Sequence, residues 1–214
     1  TMIPQAKNEL KRMADMAQEN LDRSIKGFLN QSDEYLNKIY HREEDINNVS
    51  HAITDYLVKS NQLSLPLADQ KILGSMFYVV NDIERIGDHA ENFADYTKTE
   101  LKHNTGLTGD AKEEIKKMYE AVSKLLKLSL ESFMAQDGVN TQEDKLAEIA
   151  ALEASIDKME RRYQKHHIKR LAKGDCEPRA GLLFSDMLSE LERIADHSVN
   201  IAYSMSDEDE DEML

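Results

Sequence analysis

The feature that most constrains this chain is a ten-residue pattern that occurs twice, 108 positions apart. Residues 83–92 read IERIGDHAEN and residues 191–200 read LERIADHSVN, so six of the ten positions are identical. A repeat at a fixed offset indicates that both halves of the chain fold as copies of one unit. Helical packing alone would keep only the apolar positions. Because Glu, Arg, Asp, His and Asn are kept as well, we expect the repeat to carry a function.

The rest of the sequence predicts long helices. Breaker residues divide it at 30–32, 61–66, 103–109, 136–141 and 174–178, and between them apolar residues recur at spacings of three and four. The expected helix start signals are caps at Ser32 and Asp110, a capping box of Thr141 with Asp144, and first-turn prolines at Pro66 and Pro178. The chain contains only 8 Gly and 3 Pro. These low numbers disfavour a β sandwich or barrel, because such folds need many tight turns.

The predicted fold is therefore all-α, with six long helices of about 25 to 33 residues arranged as two tandem antiparallel three-helix bundles. The first repeat is expected to span residues 1–104 and the second 105–206. Residues 207–214, which contain a run of six acidic side chains, are expected to form a disordered tail.

Composition excludes several classes of function. The 27 Lys and Arg against 41 Asp and Glu give a net charge of −14, which disfavours nucleic-acid binding because basic surface supplies most of that affinity. The single cysteine excludes an internal disulfide and cysteine-based zinc sites, and favours a reducing compartment. The sequence contains neither an apolar run of the roughly 18 residues that a membrane span needs nor a recognisable secretory leader.

The repeat places carboxylates together. Glu84 and Asp88 lie one helical turn apart, as do Glu192 and Asp196 in the second copy, with Asn92 and Asn200 following a turn later. Carboxylates at this spacing repel each other, so an acidic face on a helix either remains in solvent or binds a cation. The duplication favours the cation, although a merely solvated face remains open.

Residues equally far from a hairpin turn lie at the same height, which predicts partners on the preceding helices. Glu43 is expected to face Glu84, and Asp157, with Glu153 one turn away, to face Glu192. The predicted metal ligands are thus Glu43, Glu84, Asp88, Glu153, Asp157, Glu192 and Asp196. Oxygen ligands suit iron, manganese, magnesium, calcium or, with less preference, zinc. His89 and His197 are expected to make polar contacts between helices rather than to bind metal, whereas Asn92 and Asn200 fit either role.

This pattern resembles the PhoU family, and the resemblance covers nearly the whole chain. The matching stretches are Glu84-x-x-x-Asp88, Glu192-x-x-x-Asp196 and Glu153-x-x-x-Asp157, with Glu43-x-x-x-Asn47 as a degenerate copy. The resemblance implies a bacterial, non-enzymatic regulator of phosphate uptake that acts on a membrane transporter or a phosphate-sensing kinase. It also implies iron or zinc, in some relatives as multinuclear clusters, with manganese or magnesium as alternatives.

The start of the chain is similar to the segment that follows the last membrane span in bacterial sodium–phosphate cotransporters with a C-terminal PhoU-like domain. The residues that carry this similarity are Pro4, Ala6, Glu9, Leu10, Arg12 and Met13. It implies a cytoplasmic regulatory domain tethered to the inner membrane through an upstream transporter domain. A free-standing PhoU regulator remains the alternative, and the oligomeric state, a homodimer included, is open.

Three other interpretations remain. A ferritin-like di-iron oxidase requires a Glu-x-x-His motif on each of two helices, whereas Glu84 and His89, like Glu192 and His197, are five residues apart. A carboxylate-pair hydrolase lacks an obvious substrate cleft. A metal-free scaffold that binds a partner helix is also compatible with this sequence.

The basic run Arg161–Lys173 is a separate feature with two interpretations. Its positive charge suits a helix C-terminus, and it also suits contact with anionic lipid or with an acidic face of a transporter.

Overall fold

The computed structural model describes residues 2–104, 106–136 and 142–205. Six helices account for most of these ranges: α1 Met2–Leu29, α2 Leu36–Asn61, α3 Leu67–His103, α4 Gly109–Ala135, α5 Glu143–Ala172 and α6 Pro178–Tyr203. Within the described ranges there is no β-strand, which confirms the all-α prediction. The helix α3 has 37 residues and is longer than expected. The predicted acidic tail, residues 207–214, lies outside the described residues.

The helix starts differ in detail from the predicted caps. The helix α2 begins after Tyr35, three residues beyond Ser32, so the Ser32 hydroxyl does not cap it. At α4 the cap is Thr108, whose side chain accepts an N–H from the first turn, and Asp110 lies inside that turn. The reason is that a cap needs an extended backbone just before the helix, and Thr108 has it with ψ of 157°.

The two prolines also differ from each other. Pro178 is in the first turn of α6, as predicted, whereas Pro66 precedes α3 as its N-cap residue with an extended backbone. Both positions tolerate a residue without an N–H donor. The predicted capping residue Thr141 lies outside the described residues.

Two of the predicted breaks contain an asparagine or a glycine with a left-handed backbone that ends a helix. Asn104 has a φ of 48° and donates its N–H to the Glu100 carbonyl, and Gly174 has a φ of 73°. Glycine and asparagine adopt this conformation at low steric cost, so they terminate helices at C-terminal caps. These caps fix where α3 and α5 stop.

The helices form two three-helix bundles, α1–α3 and α4–α6, which pack together through α3 with α6 and α1 with α4. Each of these four helices carries one fully buried phenylalanine: Phe28 on α1, Phe93 on α3, Phe133 on α4 and Phe184 on α6. A hydrogen bond of 2.9 Å from Tyr119 to Asp22 also joins α4 to α1. The helices α2 and α5 therefore flank a core made by the other four, and each of them forms a groove with the third helix of its own half. Over the described residues, none of the six helices combines the length and the apolar composition of a membrane span.

Candidate metal centre

Three carboxylates converge in the groove between α2 and α3. One oxygen of each of Glu43, Asp88 and Glu91 lies within 4.8 Å of the others. Glu43 is only 4% exposed, whereas Asp88 and Glu91 are half-buried. The structure thus brings together two of the predicted ligands and adds Glu91.

The Glu43 carboxylate lies over Gly87, where α3 has no side chain. A Cβ at Gly87 would be 2.9 Å from Oε2 of Glu43, closer than such contacts occur. Both carboxylate oxygens of Glu43 are buried without a hydrogen-bond partner, and so is Oδ1 of Asn47 one turn along α2. Buried polar atoms normally have a partner. These orphaned oxygens, next to two further carboxylates, fit a hard or borderline cation.

The protonation of Glu43 reflects this crowding. Burial, followed by the proximity of Asp88 and the charges of Glu91 and Glu84, raises the pKa of Glu43 from 4.5 to about 8. Burial and the charges of Asp95 and Asp88 also raise the pKa of Glu91. Since a nearby cation favours the ionised form of a carboxyl group, binding a cation would reverse these shifts.

The predicted facing of Glu43 and Glu84 was wrong by about one turn. Glu43 lies beside Gly87, Asp88 and Glu91, while Glu84 accepts a 3.0 Å hydrogen bond from Ser50. The prediction assumed that α3 starts level with the end of α2. Instead the five linking residues, 62–66, let the first turn of α3 extend past α2, so each α2 residue meets an α3 residue further along the chain.

The second half gathers five carboxylates between α5 and α6: Glu153, Asp157, Glu160, Glu192 and Asp196. Burial, and then the charges of other members of the cluster, raise the pKa values of Glu153, Glu160, Glu192 and Asp196. Asp157 acts on both Glu192, its predicted partner, and Asp196. All four predicted ligands of this half therefore lie in one electrostatically coupled cluster.

The two clusters are not equivalent. Among the described residues, only the Glu43 cluster places three ligand oxygens within 4.8 Å of one another. The second cluster is more open, and Asp196 is exposed. Ala195 occupies the repeat position of Gly87. When α5 is aligned with α2 by matching Glu153 to Glu43, Glu160 occupies the position of Ser50. The first half therefore has a small buried cradle, and the second has a wider, more acidic surface.

Sequence reasoning missed Glu91, Glu160 and Ser50. Glu91 follows Asp88 by three residues, and Glu160 follows Asp157 by three, so each lies on the same helix face as its aspartate. The signal was present in this spacing. It was hidden because Glu91 aligns with Val199 in the repeat, and the comparison of the halves selected only residues that both copies share.

The repeated histidines join the two halves. Nδ1 of His89 on α3 contacts the carboxylate of Glu190 on α6, and Nδ1 of His197 on α6 lies 3.0 Å from Oδ1 of Asp82 on α3. Asp82 and Glu190 are themselves 108 positions apart, as the two histidines are. The two contacts are thus copies of each other across a pseudo-twofold axis, and α3 and α6 run antiparallel. Both histidines make contacts between helices, as the sequence predicted.

Glu190 is the centre of the more buried contact. Burial disfavours its ionised form, but hydrogen bonds and charges outweigh that cost. His89 contacts it, Asn92 donates to both its oxygens at 3.2 and 3.3 Å, and Arg193 is 3.7 Å away. The result is a pKa of Glu190 below its usual value. Asn92 is thereby assigned to helix contact, whereas no contact in the described part of the chain assigns Asn200.

The chain matches the model of the PhoU domain family twice, over residues 10–97 and 115–205. It is 20% identical over 196 residues to a phosphate-specific transport system accessory protein PhoU homolog 1 of Thermotoga maritima, covering 91% of this chain and 82% of that protein. It is 23% identical over 199 residues to a PhoU homolog of Clostridium acetobutylicum, covering 92% and 87%.

Similarity to solved structures agrees with these matches. The crystal structure of PhoU from Pseudomonas aeruginosa superimposes with a TM-score of 0.83 at 20% identity, covering 95% of each chain. At this identity the superposition shows a shared fold. Since the family model covers most of the sequence in two copies, each of which contains one acidic cluster, the chain belongs to the PhoU family.

Proposed function

We propose that this protein is a non-catalytic regulator of phosphate transport whose two acidic clusters bind metal ions, iron or zinc before manganese or magnesium. Family membership supports the regulatory role, because the curated relatives are named as accessory proteins of phosphate-specific transport. The observation that carries the metal proposal is Glu43, a buried carboxylate with both oxygens unpartnered beside Asp88 and Glu91.

The residues that would hold cations connect neighbouring helices. Glu43 on α2 would share an ion with Asp88 and Glu91 on α3, next to Glu84. Glu153 and Asp157 on α5 would act with Glu192 and Asp196 on α6. A bound cation supplies positive charge that removes the repulsion between these carboxylates. Each groove would then close more tightly, which would fix the surface that the protein presents to its partner and shift the partner between states.

The partner in this proposal is a membrane-embedded phosphate transporter domain or a phosphate-sensing kinase. We favour the cytoplasmic regulatory part of a sodium-dependent phosphate transporter, on the similarity of residues 4–13 to the segment after the last span of such transporters. The alternative is a free-standing regulator. The reading frame upstream of residue 1 distinguishes them, because only the first requires membrane spans encoded in the same frame.

Metal binding is tested by calorimetric titration of chelator-treated protein with Fe(II), Zn(II) and Mn(II). A Glu43→Gln/Asp88→Asn variant should lose the ion of the first groove, and a Glu153→Gln/Asp157→Asn variant should weaken binding in the second. The matched control is Glu44→Gln, because Glu44 adjoins Glu43 but its side chain is 77% exposed. Heats that are the same for wild type and both double variants would contradict the metal sites.

The regulatory role is tested in a bacterial host whose own gene of this family is deleted. Phosphate uptake is measured at high external phosphate with wild-type protein and with the Glu43→Gln/Asp88→Asn variant. We expect wild type to restrain uptake and the variant to restrain it less. Uptake that is unaffected by wild-type protein would contradict the regulatory proposal, whatever the outcome of the titrations.

A further inference from the structure

A second surface of the molecule combines exposed aliphatic side chains with unpaired cations. It lies near the turn between α5 and α6 and consists of Arg161, Lys165, Ile168, Leu171 and Leu182, which we call the hairpin patch. Ile168 is 63% and Leu182 is 67% exposed, and Leu171 is partly exposed. Large aliphatic side chains exposed together are uncommon on a protein surface and mark an interaction site.

Helix geometry places the side chains of Ile168 and Leu182 on the same side of the α5–α6 pair. A Cβ at Gly181 would lie 2.5 Å from His167 and 3.2 Å from Leu171, so Gly181 on α6 faces these two residues of α5. The next residue on each helix, Ile168 and Leu182, is rotated by about 100°. Because α5 and α6 are antiparallel neighbours, those two rotations turn both side chains to the same side of the pair.

The cations share this side of α5. Arg161, Lys165 and Ile168 follow one another at spacings of four and three, which places them on one helical stripe. Residues 161–173 contain six Lys or Arg and no Asp or Glu, in a chain whose net charge is −14. Among the described residues only Arg170 of the six forms an ion pair with a carboxylate, 2.6 Å from Glu114 on α4. Arg161 and Lys165 are exposed and not in such a pair.

We propose that the hairpin patch binds a membrane surface that contains anionic lipids. Positive charge attracts the headgroups, and protruding aliphatic side chains enter the boundary between headgroups and acyl chains. The aliphatic side chains project outward rather than line a groove, which suits a flat lipid surface better than a partner helix. Glu160 directly precedes Arg161 and Asp157 lies one turn before it, so the contact does not extend further toward the start of α5. This inference does not depend on metal occupancy.

Flotation with lipid vesicles tests the proposal on the full chain. We expect binding to phosphatidylcholine vesicles that contain phosphatidylglycerol, and none to phosphatidylcholine alone. Each cation near an anionic surface contributes about a fivefold factor, so Arg161→Glu/Lys165→Glu should lower the partition coefficient by at least ~25-fold. Ile168→Ser/Leu182→Ser should lower it by roughly tenfold or more. The matched control is Lys124→Glu/Lys127→Glu on α4, which makes the same charge change at exposed positions away from the hairpin patch and should have a small effect.

The single cysteine provides a second, direct measurement. Cys176 lies in the turn between α5 and α6, so a polarity-sensitive fluorophore on its thiol should shift to shorter wavelength when anionic vesicles are added. The same fluorophore on Ser123→Cys in a Cys176→Ser background reports from α4 and should not shift. Absence of binding to anionic vesicles would overturn the proposal and favour an acidic protein partner. Binding that both hairpin variants retain, or that Ile168→Ser/Leu182→Ser leaves unchanged, would overturn it as well.

Discussion

The buried carboxylate of Glu43 should make the metal-free protein less stable as pH rises. In the unfolded chain Glu43 has its ordinary pKa of 4.5, whereas burial and the neighbouring carboxylates raise the pKa in the folded protein to about 8. Between these values the folded state binds more protons than the unfolded state. The free energy of unfolding therefore falls as pH increases through this window.

The size of this effect follows from the shift. One pKa unit corresponds to about 1.4 kcal/mol, so Glu43 lowers the free energy of unfolding by up to ~5 kcal/mol once the pH exceeds about 8. Glu43→Gln removes the ionisation. The buried amide that replaces it costs roughly 1–3 kcal/mol if it lacks partners, but that cost does not vary with pH. The informative quantity is therefore the slope of stability against pH rather than the stability at one pH.

Urea unfolding in chelating buffer between about pH 5 and about pH 9 measures this slope. We expect the free energy of unfolding of wild type to fall by several kcal/mol more than that of Glu43→Gln. Glu44→Gln, at an exposed neighbouring position, should behave like wild type. The other carboxyls with raised pKa values also contribute to the fall, so the variant retains part of it. Equal slopes for wild type and Glu43→Gln would refute the assignment of Glu43 as a protonated group in the metal-free protein.

Three further substitutions test individual contacts. Gly87→Ala should displace the Glu43 carboxylate and so weaken cation binding in calorimetric titration. The free energy of unfolding should change by less than about 1 kcal/mol, because alanine is a better helix former than glycine. An unchanged cation affinity would contradict the role of Gly87. His89→Ala should lower the free energy of unfolding by about 3 kcal/mol in urea, since it leaves the ionised Glu190 buried with less compensation. His197→Ala should cost only about 1 kcal/mol, because that side chain is more exposed than His89; a larger loss than for His89→Ala would contradict this account of the contact between the halves.

Much of the fold followed from local information in the sequence. Breaker residues and the periodicity of apolar residues located all six helices, because both signals lie in residues that are close along the chain. The duplicated segment indicated two similar bundles. Exact helix starts were less well predicted, as at Ser32 and Thr108, since several polar residues near a helix start can act as caps and the backbone decides between them.

The acidic sites were predicted only in part, for a related reason. The spacing of Glu84, Asp88, Glu192 and Asp196 determined which carboxylates share a helix face, because that depends on the helical period alone. Which residues meet across a groove depends on the axial offset between helices, and the linker 62–66 shifted that offset by a turn. Glu91 replaced Glu84 as the closest third ligand as a consequence.

The sequence by itself determined the helices, the duplication and the acidic faces, because each depends on residues that are close along the chain. Only the tertiary structure decided that Glu43 is buried over Gly87 without a hydrogen-bond partner, and that His89 and His197 bind carboxylates of the opposite half. Both results depend on how whole helices pack against one another. Such packing minimises the free energy of many weak contacts at once, so no single motif in the sequence specifies it.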